Sequence, residues 1–275
     1  MTLFRFSVFV VFATLLLIAA GGLVTSHEAG LAVPDWPLSY GQFFPPMVGN
    51  VFWEHGHRMI AGTVGILTLI LALWVQVAEK REGIKKLAWA ALGAVLLQAL
   101  LGGLTVLFLL PPPISIFHAC LAQTFFCLLI AIAFFLSNPG TAVALQEDAG
   151  LKRLSILTTS FIYFQLILGA VVRHTGNVVV LHVLMAFLIT LHVLLLLIRT
   201  LRFHSEEKNL VRVSTGLGVL TILQIFLGLG SFIFTRMLER GFAPSTGEVL
   251  FTASHQTIGA CVLALSFLMT LWVTK

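Results

Sequence analysis

Eight stretches of about 20 mainly apolar residues run through this chain, each long enough to cross a bilayer as a helix. In hydrocarbon every backbone N–H and C=O must be satisfied within the protein, which leaves only helices and closed barrels as spanning structures. The stretches fall near 4–24, 54–77, 87–109, 114–136, 154–173, 178–199, 213–236 and 249–273 of the 275 residues. Pro111, Pro112 and Pro113 cannot continue a helix and mark a tight turn between the third and fourth. Only 10% of residues are charged, against about 25% in a soluble domain. The run Phe6 to Val24 is too long for the apolar part of a signal peptide and is read as an uncleaved first span.

Lys and Arg set the expected orientation. One set of loops and ends collects Arg5, Lys80, Arg81, Lys85, Lys86, Lys152 and Arg153, with more after the sixth stretch; the other side has only Arg58, Arg173, Arg236 and Arg240. By the positive-inside rule both termini are cytoplasmic. The net charge of +5 follows from this loop asymmetry. No basic cluster with interleaved aromatics lies outside the apolar stretches, so no nucleic-acid partner is expected. Cys120, Cys127 and Cys261 lie within apolar stretches and are read as small packing residues.

The chain repeats itself. Leu97-Gln98-Ala99-Leu100-Leu101-Gly102-Gly103 in the third stretch parallels Leu223-Gln224-Ile225-Phe226-Leu227-Gly228-Leu229 in the seventh. Gly21-Gly22-Leu23-Val24 parallels Gly169-Ala170-Val171-Val172. The expected fold is an all-α integral membrane protein, its eight transmembrane helices arranged as two pseudo-symmetric four-helix bundles. The halves are 1–137 and 154–275, joined by a cytoplasmic linker 138–153. Such parallel repeats are related by an axis along the membrane normal. A long outer loop (25–53) in the first half has only a short counterpart (174–177) in the second.

His57, His118, His182 and His255 sit near the starts of the second, fourth, sixth and eighth stretches. Ionisable or metal-binding side chains at membrane depth are costly and point to function. Four in matching places suggest two pairs of axial ligands for two planar metal cofactors, and imidazole is a standard axial ligand of heme iron. With both termini cytoplasmic, all four lie in one outer layer. A small residue follows each by four positions (Ala61, Ala122, Ala186 and Gly259), on the same helix face, where it would let a flat ring approach. The competing reading is an interhelical hydrogen bond for each. His55 lies about 200° round the helix from His57 and cannot share its face. His27 and His174 sit at the outer interface, His192 is deep enough to bond a neighbouring helix, and His204 is in a cytoplasmic loop.

Glu54 precedes His57 by three residues and shares its face. It reads either as an interfacial acid neutralising Arg58 or as an acid/base group beside a cofactor edge. The sixth stretch has Val179 at the equivalent place, so the halves differ: a reactive first half and an electron-carrying second. Arg58, Arg173 and Arg236 are candidates for heme propionate contacts, or for plain interfacial anchoring. The glycine pairs Gly102-Gly103 and Gly228 with Gly230 are expected to serve close helix packing and no chemistry.

These residues resemble the heme A synthase family over nearly the whole chain. The resemblance is carried by Gly22-Leu23-Val24-Thr25, Asp35-Trp36-Pro37-Leu38 and Glu54-His55-Gly56-His57-Arg58, then by Phe117-His118, Gly169-Ala170-Val171-Val172-Arg173-His174-Thr175 and Ser254-His255. It implies a multi-pass cell (inner) membrane enzyme of cytochrome oxidase assembly that oxidises the C8 methyl of heme O to a formyl group through heme I. It implies that His57 and His118 flank the substrate heme O and that Glu54 is catalytic. His182 and His255 would ligate a heme b cofactor. Implied partners are an electron acceptor or donor, membrane lipid and a heme O synthase; a homo-oligomer is compatible with the sequence. Three features depart from the family pattern. Ala32 and Ser39 stand where many bacterial members carry a cysteine pair, which excludes a disulfide-dependent mechanism. The loop between the fifth and sixth stretches is short and lacks the cysteines of some relatives. Val183 follows His182 where relatives often have His-Arg. Two other readings stand beside the enzyme: a diheme b-type electron carrier, and a heme-binding transporter. A carrier should place ligands near both membrane faces, and a transporter usually breaks its helices at the midplane; neither pattern is present.

Overall fold

A computed structural model describes residues 2–137, 148–238 and 241–275. Eight helices long and apolar enough to cross a membrane account for most of them. In chain order they are α1 (Leu3–Ser26), α2 (Asn50–Ala78), α3 (Glu82–Leu107), α4 (Pro112–Ser137), α5 (Ala149–Thr175), α6 (Val179–Phe203), α7 (Lys208–Phe232) and α8 (Thr246–Thr274). A π-helical turn, Ile233–Met237, ends α7. No strand occurs among the described residues.

The eight expected stretches each fall on one helix. The helices start earlier than the apolar pattern, at Glu82 for 87, Ala149 for 154 and Lys208 for 213. Hydropathy sees only the hydrocarbon core, whereas the first turns of α3, α5 and α7 carry interfacial charge: Lys85 and Lys86, Lys152 and Arg153, Lys208 and Arg212. Residues 149–153, expected in the linker, are therefore helical; 138–147 of that linker, and Arg240, lie outside the described residues. Pro112 opens α4, where its missing N–H costs nothing. Asp148 caps α5 by accepting from Leu151 N–H at 2.8 Å, and Gly176 closes it in the left-handed conformation (φ 75°).

Two compact units divide the chain: Met1–Leu136 with Leu227–Thr257, and Ser137–Phe226 with Ile258–Lys275. In the first, α1 packs on α2 and α2 on α3. Its core joins Phe6 and Val10 of α1, Val64, Leu71 and Val75 of α2, Ile84 of α3, and Phe125, Leu129 and Ile132 of α4. In the second, α5 packs on α6, and Leu151, Ile162, Leu196, Leu217 and Leu263 are fully buried. There Thr159 Oγ1 lies 2.7 Å from Ser266 Oγ and 2.8 Å from Thr270 Oγ1, a hydroxyl cluster joining α5 to α8. Asp148 accepts from Arg199 Nη2 at 2.6 Å and pairs with His204 Nε2 at 2.8 Å. Burial pushes its carboxyl up, but these bonds outweigh burial and hold it well below the ordinary value.

Large apolar side chains line the outside of the helices: Phe9, Phe12 and Leu16 on α1, and Val180, Leu184, Phe187 and Leu191 on α6. A soluble monomer rarely exposes so continuous an apolar surface. Lipid is the medium that suits it, and the protein is a multi-pass membrane protein.

Candidate functional site

Each of the four singled-out histidines has its ring against a glycine of the helix immediately before its own. A Cβ added to Gly21 of α1 would lie 3.1 Å from His57 Cε1. For Gly102 of α3 the distance to His118 Cε1 is 3.2 Å, for Gly169 of α5 to His182 Cε1 3.3 Å, and for Gly228 of α7 to His255 Cε1 2.9 Å. Any larger residue would push the imidazole away. The glycines that announce the internal repeat are thus the surfaces that seat the histidines. This corrects the expectation that Gly102 and Gly228 serve helix packing alone. His57, His118 and His255 belong to the first compact unit and His182 to the second.

The arrangement suits planar metal cofactors better than a bare ion. Among the described residues no three His, Cys, Asp or Glu side chains gather as ion ligands do. His57 Nδ1 is buried with no hydrogen-bond partner, an imidazole held by packing rather than by polar bonds. His57 is therefore a single, pre-seated imidazole, a group that could serve as an axial ligand. A Cβ on Gly259, four residues after His255, would meet Gln224 Nε2 at 3.2 Å and Leu166 Cδ2 at 3.4 Å, so two side-chain ends stand at that small residue.

Glu54 and Arg58 form the second half of the site. Glu54 is 4% exposed. Its Oε1 accepts from Arg58 Nη2 at 2.5 Å and its Oε2 from Val33 N–H at 2.8 Å. Arg58 Nη1 donates to the carbonyls of Asp35 (2.7 Å) and Leu38 (2.9 Å), and Nη2 also reaches the Val33 carbonyl at 3.4 Å. Three residues of the first outer loop, Val33, Asp35 and Leu38, are thereby tied to one turn of α2. His55, on the other face, pairs through Nδ1 with Ser39 Oγ at 2.8 Å. Asp35 accepts from Gly41 N–H (2.8 Å) and Tyr40 N–H (2.7 Å). The Gly41 bond, opposed by some desolvation and helped by Tyr40, holds the Asp35 carboxyl below its ordinary value. The Trp36 ring covers Gly103 of α3 so closely that a Cβ there would lie 2.6 Å from Trp36 Cδ2. Loop residues Val33, Asp35, Trp36 and Ser39 carry no chemical signal of their own in the sequence. Only the run Asp35-Trp36-Pro37-Leu38 hinted at them.

Arg58 is thus occupied by the loop and by Glu54, which leaves its terminal nitrogens engaged where a propionate contact was expected. Arg173 lies in the last turn of α5, and Arg236 is exposed in the π-helical turn. His27 stacks on Trp53 with ring centroids 4.0 Å apart. His192 Nδ1 lies 3.5 Å from Thr158 Oγ1 of α5, a bond to a neighbouring helix. His204, expected in a loop, caps α6 and is 7% exposed against Asp148. Gln98 and Gln165 were not anticipated as site residues. Gln98 Nε2 donates to the His118 carbonyl at 3.0 Å and Gln165 Nε2 to the His182 carbonyl at 2.8 Å.

Eight apolar helices, four of them carrying a histidine seated against a glycine of the preceding helix, define a helical multi-pass membrane protein. Residues 47–184 match the family model COX15-CtaA, described as cytochrome oxidase assembly protein. The chain belongs to that family. Among curated relatives, the heme A synthase of Exiguobacterium sibiricum is 31% identical over 176 residues, covering 62% of this chain and 59% of the relative. That of Bacillus pumilus is 31% identical over 179 residues (62% and 58%). That of a Methylobacterium species is 38% identical over 113 residues (36% and 31%). The chain thus spans somewhat less than two thirds of the length of the first two relatives. The family match contains Glu54, His57, Arg58, His118, Arg173 and His182, and ends before His255.

Proposed function

We propose that the protein is a heme A synthase: a membrane oxidoreductase that converts the C8 methyl of heme O to a formyl group through heme I. The observation that carries this reading is the seating of His57 and His118 against Gly21 and Gly102, with both histidines inside the 47–184 stretch that matches the family. In this reading His57 and His118 flank heme O, and His182 and His255 ligate a heme b that relays electrons. A bound heme supplies the iron-centred redox chemistry. The chain's own residues hold the imidazoles edge-on, close the outer loop over α2 and keep a carboxylate, Glu54, three residues from His57. Arg173 and Arg236 are assigned to the heme propionates, and Arg58 to the loop. The reactive half is 1–137 and the electron-carrying half 154–275, with both termini cytoplasmic and the histidines near the outer face of the cell membrane. An electron partner is required, and a heme O synthase supplies the substrate.

A diheme electron carrier is the second reading. It is favoured by one observation: Glu54 already has both oxygens bonded, by Arg58 and by Val33, so a loop-holding role accounts for it without chemistry. Co-expression with a heme O synthase in a host that makes no heme A separates the two. Heme I or heme A appearing with this chain, and lost in His57→Ala, supports the synthase. A folded, heme-bearing protein that leaves heme O unchanged refutes it.

A further inference from the structure

The seating of the histidines has a second contact that recurs. Gln98 stands four residues before Gly102, and Gln165 four before Gly169, so each amide lies on the same helix face as the glycine. From there Gln98 Nε2 bonds the main-chain carbonyl of His118 (3.0 Å), and Gln165 Nε2 that of His182 (2.8 Å). A carbonyl only accepts, so the amide must turn its NH2 to it. The consequence is visible at the other end: Gln98 Oε1 and Gln165 Oε1 are both buried with no hydrogen-bond partner. A bare acceptor at membrane depth is costly, and a leucine or methionine would avoid that cost. The donor is what the position requires. The spacing occurs again in Gln224 and Gly228, the glycine that seats His255. It is broken once: four residues before Gly21, the glycine behind His57, stands Leu17, which has no donor.

We propose that Gln98 and Gln165 are positioning residues that fix the main chain at His118 and His182, and hence the angle at which each imidazole is presented. The glycine sets how far the ring can retreat, and the amide stops the ligand helix from turning or sliding past its neighbour. His57 has the glycine without the amide. It is the ligand whose main chain no amide of the preceding helix fixes; its turn of α2 is held instead to the outer loop through Glu54, His55 and Arg58. This inference rests on the reading of His118 and His182 as heme ligands and deepens it.

The test uses the full chain, purified in detergent with heme B as the probe. Gln98→Met and Gln165→Met remove the donor at similar volume; Leu17→Gln adds one behind His57. Two readouts are taken: the largest g value of each low-spin heme by electron paramagnetic resonance, which follows imidazole orientation, and the rate of heme transfer to apomyoglobin. Each Met variant is expected to shift one heme signal and to speed loss of that heme by about fivefold, the worth of one ordinary neutral hydrogen bond. Leu17→Gln is expected to slow transfer from the His57 site by a similar factor. Signals and rates unchanged in all three, with or without a lower unfolding temperature in the Met variants, overturn the inference and reduce the glutamines to packing. If neither Met variant folds, Leu17→Gln decides by the same criterion. A parent chain that folds but retains no heme fails earlier, and refutes the proposed function together with this inference.

Discussion

Replacing Glu54 by Gln tests what the carboxylate is for. In the structure it is 4% exposed and accepts from two donors, Arg58 Nη2 at 2.5 Å and Val33 N–H at 2.8 Å. A glutamine has one acceptor oxygen, so its NH2 must face one of those donors whichever way it turns. One charge-assisted bond is lost, about 1.5–3 kcal/mol. Stranding a buried arginine outright costs about 3–5 kcal/mol, but Arg58 keeps the Asp35 and Leu38 carbonyls. The combined cost is therefore set at about 3 kcal/mol. At about 2–4 °C per kcal/mol this lowers the unfolding temperature by roughly 6–12 °C. The free thiols Cys120, Cys127 and Cys261 make a maleimide dye a suitable reporter of unfolding. Tyr40 and Phe43 are already exposed, so chymotrypsin, which needs a locally loosened chain, should then cut the loop after them faster, and Arg58→Ala should speed the same cuts. A shift below about 2 °C, with the loop still resistant, refutes the tether. The comparison also assigns the chemistry. If Glu54→Gln abolishes product while the loop stays closed, the carboxylate acts on the reaction; if product falls in step with loop cleavage in both variants, its part is positional.

Four further outcomes follow from the same structure. Gly228→Ala places a Cβ 2.9 Å from His255 Cε1 and is expected to disturb heme binding, seen in the visible spectrum; Gly62→Ala, with nothing within 4 Å, should stabilise by about 0.5–1 kcal/mol. Ser39→Ala removes the partner of His55 Nδ1 while His55 Nε2 is already bare, and should cost about 1–3 kcal/mol in thermal unfolding. The Asp148 carboxyl is held below its ordinary value of 3.8, so its contribution is complete above that value and is lost as pH falls through the lower folded one. Asp148→Asn should therefore destabilise at pH 7, by about 1 kcal/mol given the partly exposed Arg199, and the gap to the parent should close on acidification below pH 4.

Much of this protein was legible in the linear chain because the bilayer is a demanding solvent. Runs of apolar residues had to become helices, since no water is present to satisfy the backbone. The apolar runs set their starts only coarsely, because the first turns carry interfacial charge, which is why α3, α5 and α7 begin a turn before the apolar pattern does. Histidines in apolar stretches stood out because they are expensive there. What stands behind each imidazole was hidden. Gly102 and Gly228 read as packing glycines, and Gly21 and Gly169 only as parts of the repeat, because the absence of a side chain carries no sign of what occupies the space. Gln98 showed only as part of the repeated run and Gln165 not at all, because a side chain's partner on another helix depends on rotation and register that no local pattern encodes. The loop network was equally silent: Glu54 and Arg58 are one helical turn apart and visibly paired, but the Val33, Asp35 and Leu38 groups they hold are main chain, and every residue has those. Sequence determined the medium, the helices and the ligand candidates, for their physics is local. Tertiary structure alone decided what seats the histidines and what holds the loop.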